Sequence, residues 1–586
     1  MNPRSRFSWL LPILMVAASF ALRAAAWAYW GTGTIESEGA EYAKIAENLR
    51  NGVGYVGLVS PGPQVIFHPL FPFLIAGTSF VVDDYELAGR LVALVMGALL
   101  PLPVFGIASR LFNRRVGLIA GALTVLHPLL MYLSFMVYSE GPYATLFLTA
   151  IYLVVRALDD NSTRLWLLVG GAFGLCYLLR AEAFAAFAIA MLFAFIATGG
   201  NLAVKVRRVA YATAVFLVLA LPEVAFLYKS TGKVLLEAKS RVLFSYTGRR
   251  ILAAERKPGV DYVSDGGQHE VPSPEPNADG GYPERWEEKW ATYGIDSQLK
   301  GTGFAIRPWA ETARETHISL KDLFRLVAKG MSLNLSGFFR KLSSDWLGAP
   351  LLPALALLGA CRRPWRGPRA LTRLFILLVA CVPVAATFLV LWGDDRYYFI
   401  FVPLLCIWAA NGLFEFGLWI KTSGAAARWK IVENPAVSQW MLPGLLGLAM
   451  VLLPVRHVSA LYAFSDSAPP NRIEKEVGHW IKSQQDWPVR IMDLSLPLTY
   501  HANAQQHVYF PYATGDLALR YLDAARIDYV VLRRQGRFTR YYEDWLTNGI
   551  PDPRAELLQL TSVAGAEKFV IYRWHRSEAT ASTPAR

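Results

Sequence analysis

Long apolar segments follow one another along most of this chain and constrain its fold more than any other feature of the sequence. A helix needs about 20 apolar residues to cross the hydrocarbon core of a bilayer, and about eleven segments approach that length. They lie roughly at residues 9–30, 88–109, 116–134, 140–157, 165–179, 183–199, 209–228, 346–361, 371–392, 398–420 and 440–456. The sequence therefore predicts a mainly α-helical, polytopic membrane protein with about eleven transmembrane helices.

Composition and missing motifs argue against several other classes of protein. Only 18% of the 586 residues are charged, which is fewer than soluble domains carry. Aromatic residues reach 13%, which argues against disorder, and four cysteines are too few for a disulfide framework. The GxxxxGK[ST], HExxH, CxxC and GxSxG patterns are absent from the sequence. ATP-driven pumping, zinc proteolysis, thiol redox chemistry and serine hydrolysis therefore lose support.

The net charge of +13 resides largely in loops between the apolar segments. Basic clusters at 4–6, 110–115, 205–208, 362–373 and 421–430 fall on one side of the membrane if all the segments span it. By the positive-inside rule that side is the cytoplasm. We therefore predict a cytoplasmic amino terminus, an outer carboxyl terminus and no nucleic-acid partner. The first segment is too long for a typical signal peptide and has no convincing cleavage site, so we expect it to be retained.

The stretch 65–82 is apolar enough to be a further span, but it contains Pro69 and Pro72. Counting it as a span would place the basic cluster 110–115 outside and the acidic loop 83–86 inside. The charge bias therefore favours an interfacial or re-entrant segment on the outer face.

Three sizeable regions then lie outside the membrane, at 31–87, 229–345 and 457–586. We divide the chain into a transmembrane domain, 1–456, which includes the first two regions, and a small extracytoplasmic α/β domain, 457–586. The β-like runs and helical patterns in the third region lie at 472–483, 489–492, 516–525, 529–532 and 569–572. Its residues Tyr500, His501, His507 and Tyr509 either line an acceptor groove or pack on the membrane domain.

Acidic residues cluster directly after the first span, at Glu36, Glu38 and Glu41. A carboxylate at the boundary between water and membrane can act as a general base, because a low local dielectric raises its basicity. The alternative is a solvated helix cap.

Further charged residues lie at the same outer face. Glu140 follows the third span, as a functional acid or as a helix cap, and Arg180 with Glu182 occupies the next outer turn, where the two side chains can also pair only with each other. Arg396 opens a late span, and a guanidinium there suits a phosphate oxyanion, an ion pair with a neighbouring aspartate, or lipid headgroups. His68 can donate to a phosphate, orient an acid, or serve a structural role.

These motifs, taken in order, resemble the membrane glycosyltransferases of the GT-C superfamily. The acid four residues before Tyr42 is followed by His-Pro-Leu-Phe-Pro at 68–72, Tyr-Ser-Glu-Gly-Pro at 138–142, Leu-Leu-Arg-Ala-Glu at 178–182 and Asp-Arg-Tyr at 395–397. Within the superfamily the sequence is most similar to the bacterial protein O-mannosyltransferase and lipid A aminoarabinose transferase group.

The resemblance implies an enzyme of the bacterial inner membrane. It moves a sugar from a polyprenyl-phosphate donor to a hydroxyl on a protein, lipid or glycan acceptor at the periplasmic face, with inversion at the anomeric carbon. Glu38 takes the role of the base, with Glu36 as its substitute, although the family more usually has Asp. The resemblance assigns the donor phosphate to Arg396, Arg180 and His68, and other substrate contacts to Glu140, Glu41, Tyr42, Asp395 and Tyr397. We expect no obligatory cofactor, although a divalent cation remains an alternative.

Two other functions are compatible with many spans and polar residues. A transporter or flippase of lipid-linked sugars usually places its polar residues near the membrane midplane and often has repeated halves. Here the polar residues collect at one interface, and the two halves do not look alike. A non-catalytic scaffold leaves the clustered acids unexplained.

Overall fold

A computed structural model describes residues 10–30, 34–160, 162–244, 308–328, 330–331, 351–361, 369–389, 399–422, 444, 469–485, 487–510, 515–534, 540–560, 563 and 566–576. Most of these residues are helical. The helices up to residue 422 are α1 Leu10–Trp30, α2 Ser37–Arg50, α3 Leu70–Val82, α4 Tyr85–Leu99, α5 Pro101–Leu111, α6 Arg114–Leu126, α7 Pro128–Tyr132, α8 Glu140–Asp160, α9 Thr163–Tyr177, α10 Glu182–Ala197, α11 Leu202–Thr231, α12 Lys239–Leu243, α13 Trp309–Glu315, α14 Leu351–Cys361, α15 Ala370–Leu389 and α16 Phe401–Thr422.

Ten of the predicted spans overlap these helices. The predicted span 88–109 is divided between α4 and α5, and the predicted span 116–134 is divided between α6 and α7. Within the described ranges, 5 helical segments are long and apolar enough to cross a membrane: Leu10–Tyr29, Tyr85–Leu111, Glu140–Asp160, Leu202–Thr231 and Phe401–Trp419. Shorter apolar helices lie at Leu70–Val82, Glu182–Ala197, Leu351–Cys361 and Ala370–Val382. The predicted span 440–456 and the predicted domain boundary after residue 456 lie outside the described residues. The chain is thus a mostly helical protein with several membrane-spanning candidates.

Helix α3 corresponds to the stretch 65–82 and has 13 residues. At about 1.5 Å per residue it extends roughly 20 Å, which is shorter than a hydrocarbon core of about 30 Å. Asp83 ends the helix in the left-handed conformation, with φ 44°, and Asp84 then caps α4 by accepting from the N–H of Leu87. The short length of α3 is compatible with the predicted interfacial or re-entrant segment, and its position relative to the membrane stays a prediction.

A break after α6 separates this helix from the short helix α7. Pro128 has no N–H to give to the carbonyl oxygen of Thr124, so the helix cannot continue unchanged. The buried guanidinium of Arg23 in α1 donates to the Thr124 and Val125 carbonyl oxygens, both at 3.3 Å, and to Ser134 Oγ at 3.0 Å. Arg23 therefore satisfies polar groups that the break exposes within an apolar helix bundle.

The carboxyl-terminal unit contains a five-stranded mixed sheet in the order β2-β1-β3-β5-β4. Strand β1 pairs in parallel with β2 and β3, and β5 pairs antiparallel with β3 and β4. Its elements are α17 Pro469–Ser483, β1 Arg490–Met492, α18 Leu496–His501, β2 Gln506–Val508, α19 Gly515–Ala524, β3 Tyr529–Arg533, α20 Arg540–Asn548, β4 Ala555–Leu558 and β5 Phe569–Trp574.

The sheet is buried on both faces, because alternate residues of β3 belong to different apolar clusters. Val530 and Leu532 pack with one set of helices, and Tyr529 and Val531 pack with the other. This alternation is the period of two expected for a strand. Strands β1, β3 and β5 coincide with predicted runs, whereas the short β2 and the largely exposed β4 gave no clear sequence signal.

Candidate active site

The candidate site lies around the start of α2, where the chain leaves α1. Glu36 directly precedes this helix and is 2% exposed. Its Oε2 accepts from the backbone N–H of Val137 at 3.0 Å, and its Oε1 lies 3.6 Å from Nη1 of Arg90. Although Glu36 occupies the N-cap position, its side chain makes no capping hydrogen bond. Glu36 therefore anchors the start of α2 to α4 and to the segment before α8.

Glu38 lies in the first turn of α2 and is only partly buried. A carboxylate in this turn is stabilised by the partial positive charge of the helix amino terminus. Compared with the almost fully buried Glu36, Glu38 is better placed to meet an acceptor that arrives from water. The prediction that these acids serve only as helix caps does not hold for Glu36, because its side chain makes no capping hydrogen bond. The base role of Glu38 stays a prediction.

Glu41 lies inside the first outer loop. Its Oε2 accepts from the backbone N–H of Leu58 at 2.7 Å and of Val59 at 3.3 Å, and its Oε1 accepts from Gln64 Nε2 at 2.6 Å. A side chain at Gly57 would collide with this carboxylate, since a Cβ atom there would lie 2.0 Å from Oε1. Glu41 is thus used to fasten the loop to α2, and the substrate contact predicted for it has no support from this placement.

Tyr42 packs at the centre of the site. Its hydroxyl donates to Ser139 Oγ at 3.2 Å. Phe67 and Phe71 lie edge-on to its ring, with centroid distances of 4.8 and 5.0 Å. These contacts join α2 to the loop before α3 and to the residue that precedes Glu140.

The electrostatics around Tyr42 place several predicted site residues close together. Burial raises the pKa of its phenol, and the negative charges of Glu38 and Glu140 raise it further, while the hydrogen bond to Ser139 and the charge of Arg180 act in the opposite direction. The hydrogen bond between Tyr42 and Ser139 joins α2 to the residue before α8, and the contact between Arg180 and Glu140 joins the start of α8 to the turn between α9 and α10.

Glu140, Arg180 and Glu182 form a charged cluster at this point. Arg180 Nη1 donates to Glu140 Oε1 at 3.0 Å, and Arg180 Nε donates to Glu182 Oε1 at 2.5 Å. The Arg180 guanidinium also lies 5.8 Å from the ring centroid of Tyr143. Glu140 is 1% exposed, and its Oε2 has no hydrogen-bond partner within the described residues. Arg180 and Glu182 therefore do not pair only with each other, and one buried carboxylate oxygen of Glu140 has no partner among the described residues.

His68 lies next to this cluster, in the loop before α3. Its Nδ1 is 3.9 Å from Glu223 Oε1, and its ring meets Tyr177 edge-on with a centroid distance of 5.6 Å. Burial lowers the pKa of His68 to about 4; the charge of Glu182 opposes this shift, and that of Lys239 adds to it. His68 is therefore neutral near pH 7 and acts as a hydrogen-bonding group instead of a cation.

Sequence reasoning missed two charged residues beside His68. Glu223 is a buried acid that follows Pro222 within α11. A proline and an acid side by side in an apolar segment could have indicated a functional residue, because ionisable residues are rare in such segments. Lys239 begins α12, and its Nζ lies 5.9 Å from the ring centroid of Phe67. Lys239 closely follows a predicted span on the side that is predicted to face outward, where the positive-inside rule disfavours basic residues, and this was the corresponding signal.

The structure thus brings Glu38, Tyr42, Glu140 and Arg180 together and places His68 beside them. The three predicted residues Asp395, Arg396 and Tyr397 lie outside the described residues. Within the described ranges, no group of three or more His, Cys, Asp and Glu side chains is arranged to hold a metal ion. The site combines a partly exposed acid with a paired guanidinium and a lysine, which can serve a hydroxyl nucleophile and an anionic leaving group.

Comparison with known proteins gives matches in sequence and in fold. Residues 63–226 match the family described as dolichyl-phosphate-mannose-protein mannosyltransferase. This range runs from the loop before α3 into α11 and includes His68, Glu140, Arg180, Glu182 and Glu223. No curated protein sequence matches the chain.

Two kinds of solved structure share the fold. The archaeal oligosaccharyltransferase AglB from Archaeoglobus fulgidus, in complex with an inhibitory peptide and a dolichol-phosphate, superposes with a TM-score of 0.56 at 14% identity, over 90% of this chain and 69% of AglB. ArnT from Cupriavidus metallidurans bound to undecaprenyl phosphate superposes with a TM-score of 0.53 at 12% identity, over 96% of this chain and 97% of ArnT.

These likenesses define a class: the chain has the fold of the GT-C membrane glycosyltransferases. Within that class it resembles ArnT and the protein mannosyltransferases, which confirms the resemblance predicted from the sequence motifs.

Proposed function

We propose that this protein is an integral-membrane glycosyltransferase that moves a sugar from a polyprenyl-phosphate donor to an acceptor hydroxyl. The observation that carries the proposal is the buried cluster in which Arg180 binds Glu140 and Glu182 beside the first turn of α2. The fold supports the same proposal, because the AglB and ArnT structures of this fold contain a dolichol-phosphate and undecaprenyl phosphate.

In the proposed reaction Glu38 is the general base. The acceptor oxygen attacks the anomeric carbon from the face opposite the phosphate, and its proton passes to the Glu38 carboxylate. A new carbon–oxygen bond forms as the bond between the anomeric carbon and the phosphate oxygen breaks, so configuration at that carbon inverts. The leaving group is polyprenyl phosphate, which departs with the bonding electron pair.

Cationic and hydrogen-bonding side chains receive the charge that grows on the leaving phosphate. Lys239 supplies positive charge, and Arg180 supplies guanidinium N–H donors while Glu140 and Glu182 balance its charge. His68 supplies a neutral hydrogen-bonding ring, and Arg396 is proposed to contribute a further guanidinium. We expect Arg396→Lys to reduce turnover severely, because an ammonium cannot reproduce paired guanidinium donors. We propose that these groups serve without an obligatory divalent cation. Full activity in a chelator would support that part of the proposal, and activity lost in a chelator and restored by a divalent ion would reject it.

The proposed topology has about eleven spans, with the amino terminus in the cytoplasm of a bacterium and the site at the periplasmic face of its inner membrane. The basic loops support this orientation, and the apolar helices support a multi-pass protein. The carboxyl-terminal unit is then a periplasmic α/β domain. The acceptor is proposed only as a hydroxyl on a protein, lipid or glycan.

The test is release of polyprenyl phosphate from a labelled lipid-linked sugar by purified protein in lipid vesicles. We expect release by the wild type and none by Glu38→Gln, with both proteins inserted in the membrane. Glu47→Gln, on the same helix, is the matched control and should retain turnover. Movement of the label across the bilayer without release indicates a flippase, and full turnover by Glu38→Gln rejects the base role.

A further inference from the structure

The carboxyl-terminal unit contacts the outer loop of the membrane unit through buried polar groups. His501 Nε2 in α18 lies 2.6 Å from Thr34 Oγ1, just before α2. Lys475 in α17 donates to Glu86 Oε2 in α4 at 2.9 Å, and His501 Nε2 lies 3.9 Å from the same oxygen. Thr34 and Glu86 are buried, whereas the Lys475 side chain is 34% exposed, so the Lys475 contact lies at the edge of the packed region.

From Glu86 the polar contacts continue to the start of α2. Glu86 Oε1 accepts from Arg90 at 2.9 and 3.2 Å. Arg90 in turn donates to the Phe135 carbonyl oxygen at 2.9 Å and lies 3.6 Å from Glu36. Glu36 also accepts from the N–H of Val137. A chain of charged and hydrogen-bonded groups therefore runs from α17 to the residue that precedes α2.

A second connection reaches α2 through the edge of the sheet. The N–H of His507 in β2 donates to the Leu58 carbonyl oxygen at 2.9 Å. The N–H of Leu58 donates to Glu41 Oε2 at 2.7 Å, and Gln64 holds the other oxygen of that carboxylate. Leu58 thus lies between β2 and α2. Its carbonyl oxygen accepts from His507 in β2, and its N–H donates to Glu41 in α2.

Apolar contacts accompany both connections. Leu496 of the carboxyl-terminal unit is buried in the main apolar cluster of the membrane unit, and Tyr500 and Tyr509 pack against that cluster. These residues exclude water from the contact. Interactions between charged groups are stronger where water is excluded, because the local dielectric constant is lower. The predicted alternative in which this region packs on the membrane unit therefore holds for Tyr500 and Tyr509.

The two connections end at Glu36 and Glu41, on either side of Glu38. We propose that the carboxyl-terminal unit holds the first turn of α2 in its working position, and that Lys475 and His501 are positioning residues for Glu38. This inference rests on the proposed transferase function. A base must lie within hydrogen-bonding reach of the hydroxyl proton, and a displacement of about 1 Å is enough to reduce the rate about 100-fold.

The first test compares Lys475→Met with Lys482→Met, an exposed lysine two turns further along the same helix. We expect kcat for polyprenyl phosphate release to fall at least tenfold in Lys475→Met, with the KM for the lipid donor within twofold of the wild type. Lys475→Arg should restore most of the rate, because it keeps a cation opposite Glu86. Lys482→Met should match the wild type. A wild-type kcat in Lys475→Met overturns the proposal, as does a loss confined to KM.

A second measurement does not depend on turnover. Hydrogen–deuterium exchange of the amides in residues 37–44 reports directly on the first turns of α2. We expect faster exchange in Lys475→Met and in His501→Leu than in Lys482→Met, with the spans unchanged. Equal exchange in all three variants overturns the positioning role even if the enzyme is active. If the wild type releases no polyprenyl phosphate, the transferase proposal fails, while the exchange data still decide whether the carboxyl-terminal unit orders α2.

Discussion

The guanidinium of Arg180, in the turn between α9 and α10, donates to Oε1 of Glu140 at the start of α8 at 3.0 Å. Arg180 comes from the turn before α10, whereas Glu140 is the first residue of α8, so the pair joins elements that are 40 residues apart in sequence. Glu182 holds the Nε of the same guanidinium. The second oxygen of Glu140 is buried without a hydrogen-bond partner in the described structure, which is a costly arrangement unless a ligand completes it.

We predict that Arg180→Lys and Glu140→Gln each lower kcat by about 100-fold, a loss typical of removing one preorganised charge-stabilising group. Lysine cannot bind both carboxylates in the guanidinium geometry, and glutamine removes the charge that orients Arg180. Steady-state release of polyprenyl phosphate measures both effects. Arg156→Lys, which alters an exposed pair with Asp160 on the same helix as Glu140, is the control. Wild-type kcat in Arg180→Lys would show that its two ion pairs are only structural.

Arg23 should contribute to stability instead of to turnover. It is fully buried in α1 and donates to carbonyl oxygens that the break at Pro128 leaves without helical partners. Arg23→Met removes these hydrogen bonds and should lower the free energy of unfolding by about 3 kcal/mol. The exposed Arg164→Met serves as the control.

The measurement is the thermal unfolding midpoint of the detergent-solubilised protein. A midpoint for Arg23→Met equal to that of Arg164→Met would mean that the α6 break is satisfied without Arg23. The kcat of any folded fraction of Arg23→Met should stay near the wild-type value, because the guanidinium contacts none of the site residues named above.

Much of the fold follows from the sequence because the length of an apolar segment is a local property. The helices α8, α9 and α10 were therefore predictable within a few residues, and the positive loops predicted a common side for Glu140 and Arg180. The breaks between α4 and α5 and between α6 and α7 were not predicted, and α11 begins at Leu202 instead of near residue 209. What sequence could not supply is the partner of each charged group. Arg23 is hidden in an apolar segment, and its function depends on a helix break about 100 residues away, which no local pattern reports.

The site was predictable to a similar extent. The motifs identified the segments that converge, but the roles of neighbouring acids differ for reasons of packing. Glu36 and Glu41 lie in the same acidic cluster as Glu38. However, Arg90 pairs with Glu36, and the loop 57–64 hydrogen-bonds to Glu41. The contact between the carboxyl-terminal unit and α2 was likewise invisible, since it joins residues more than 400 positions apart.

His68 predicts a pH dependence of stability. Burial lowers its pKa to about 4, so between pH 6.5 and 4 the unfolded chain binds a proton more readily than the folded chain does. The contribution of the neutral ring is complete above pH 6.5 and is lost as the pH falls toward 4. Arg180 and Lys239 add to this effect, whereas Glu182 opposes it; Glu223 also faces the ring.

We therefore expect the unfolding midpoint of His68→Gln to fall less steeply than that of the wild type between pH 7 and 4.5. The exposed His317→Gln should follow the wild-type curve. Parallel curves for all three proteins would mean that protonation of His68 does not destabilise the folded chain.

Gly39 follows Glu38 in the first turn of α2 and gives a test of how closely that turn must approach its support. A Cβ atom at Gly39 would lie 2.9 Å from Val137 Cβ and 3.0 Å from Glu36 Oε2, so alanine forces the turn away from both. Elsewhere in a helix the same change is favourable by about 0.5–1 kcal/mol, because alanine has the higher helix propensity. Gly77 in α3 has nothing within 4 Å of its Cβ position and is the matched control. We predict that Gly39→Ala lowers kcat at least tenfold and also lowers the unfolding midpoint, whereas Gly77→Ala leaves kcat unchanged and does not lower the midpoint. Equal activity of the two variants would show that Glu38 tolerates displacement of its helix turn, which the general-base geometry does not allow.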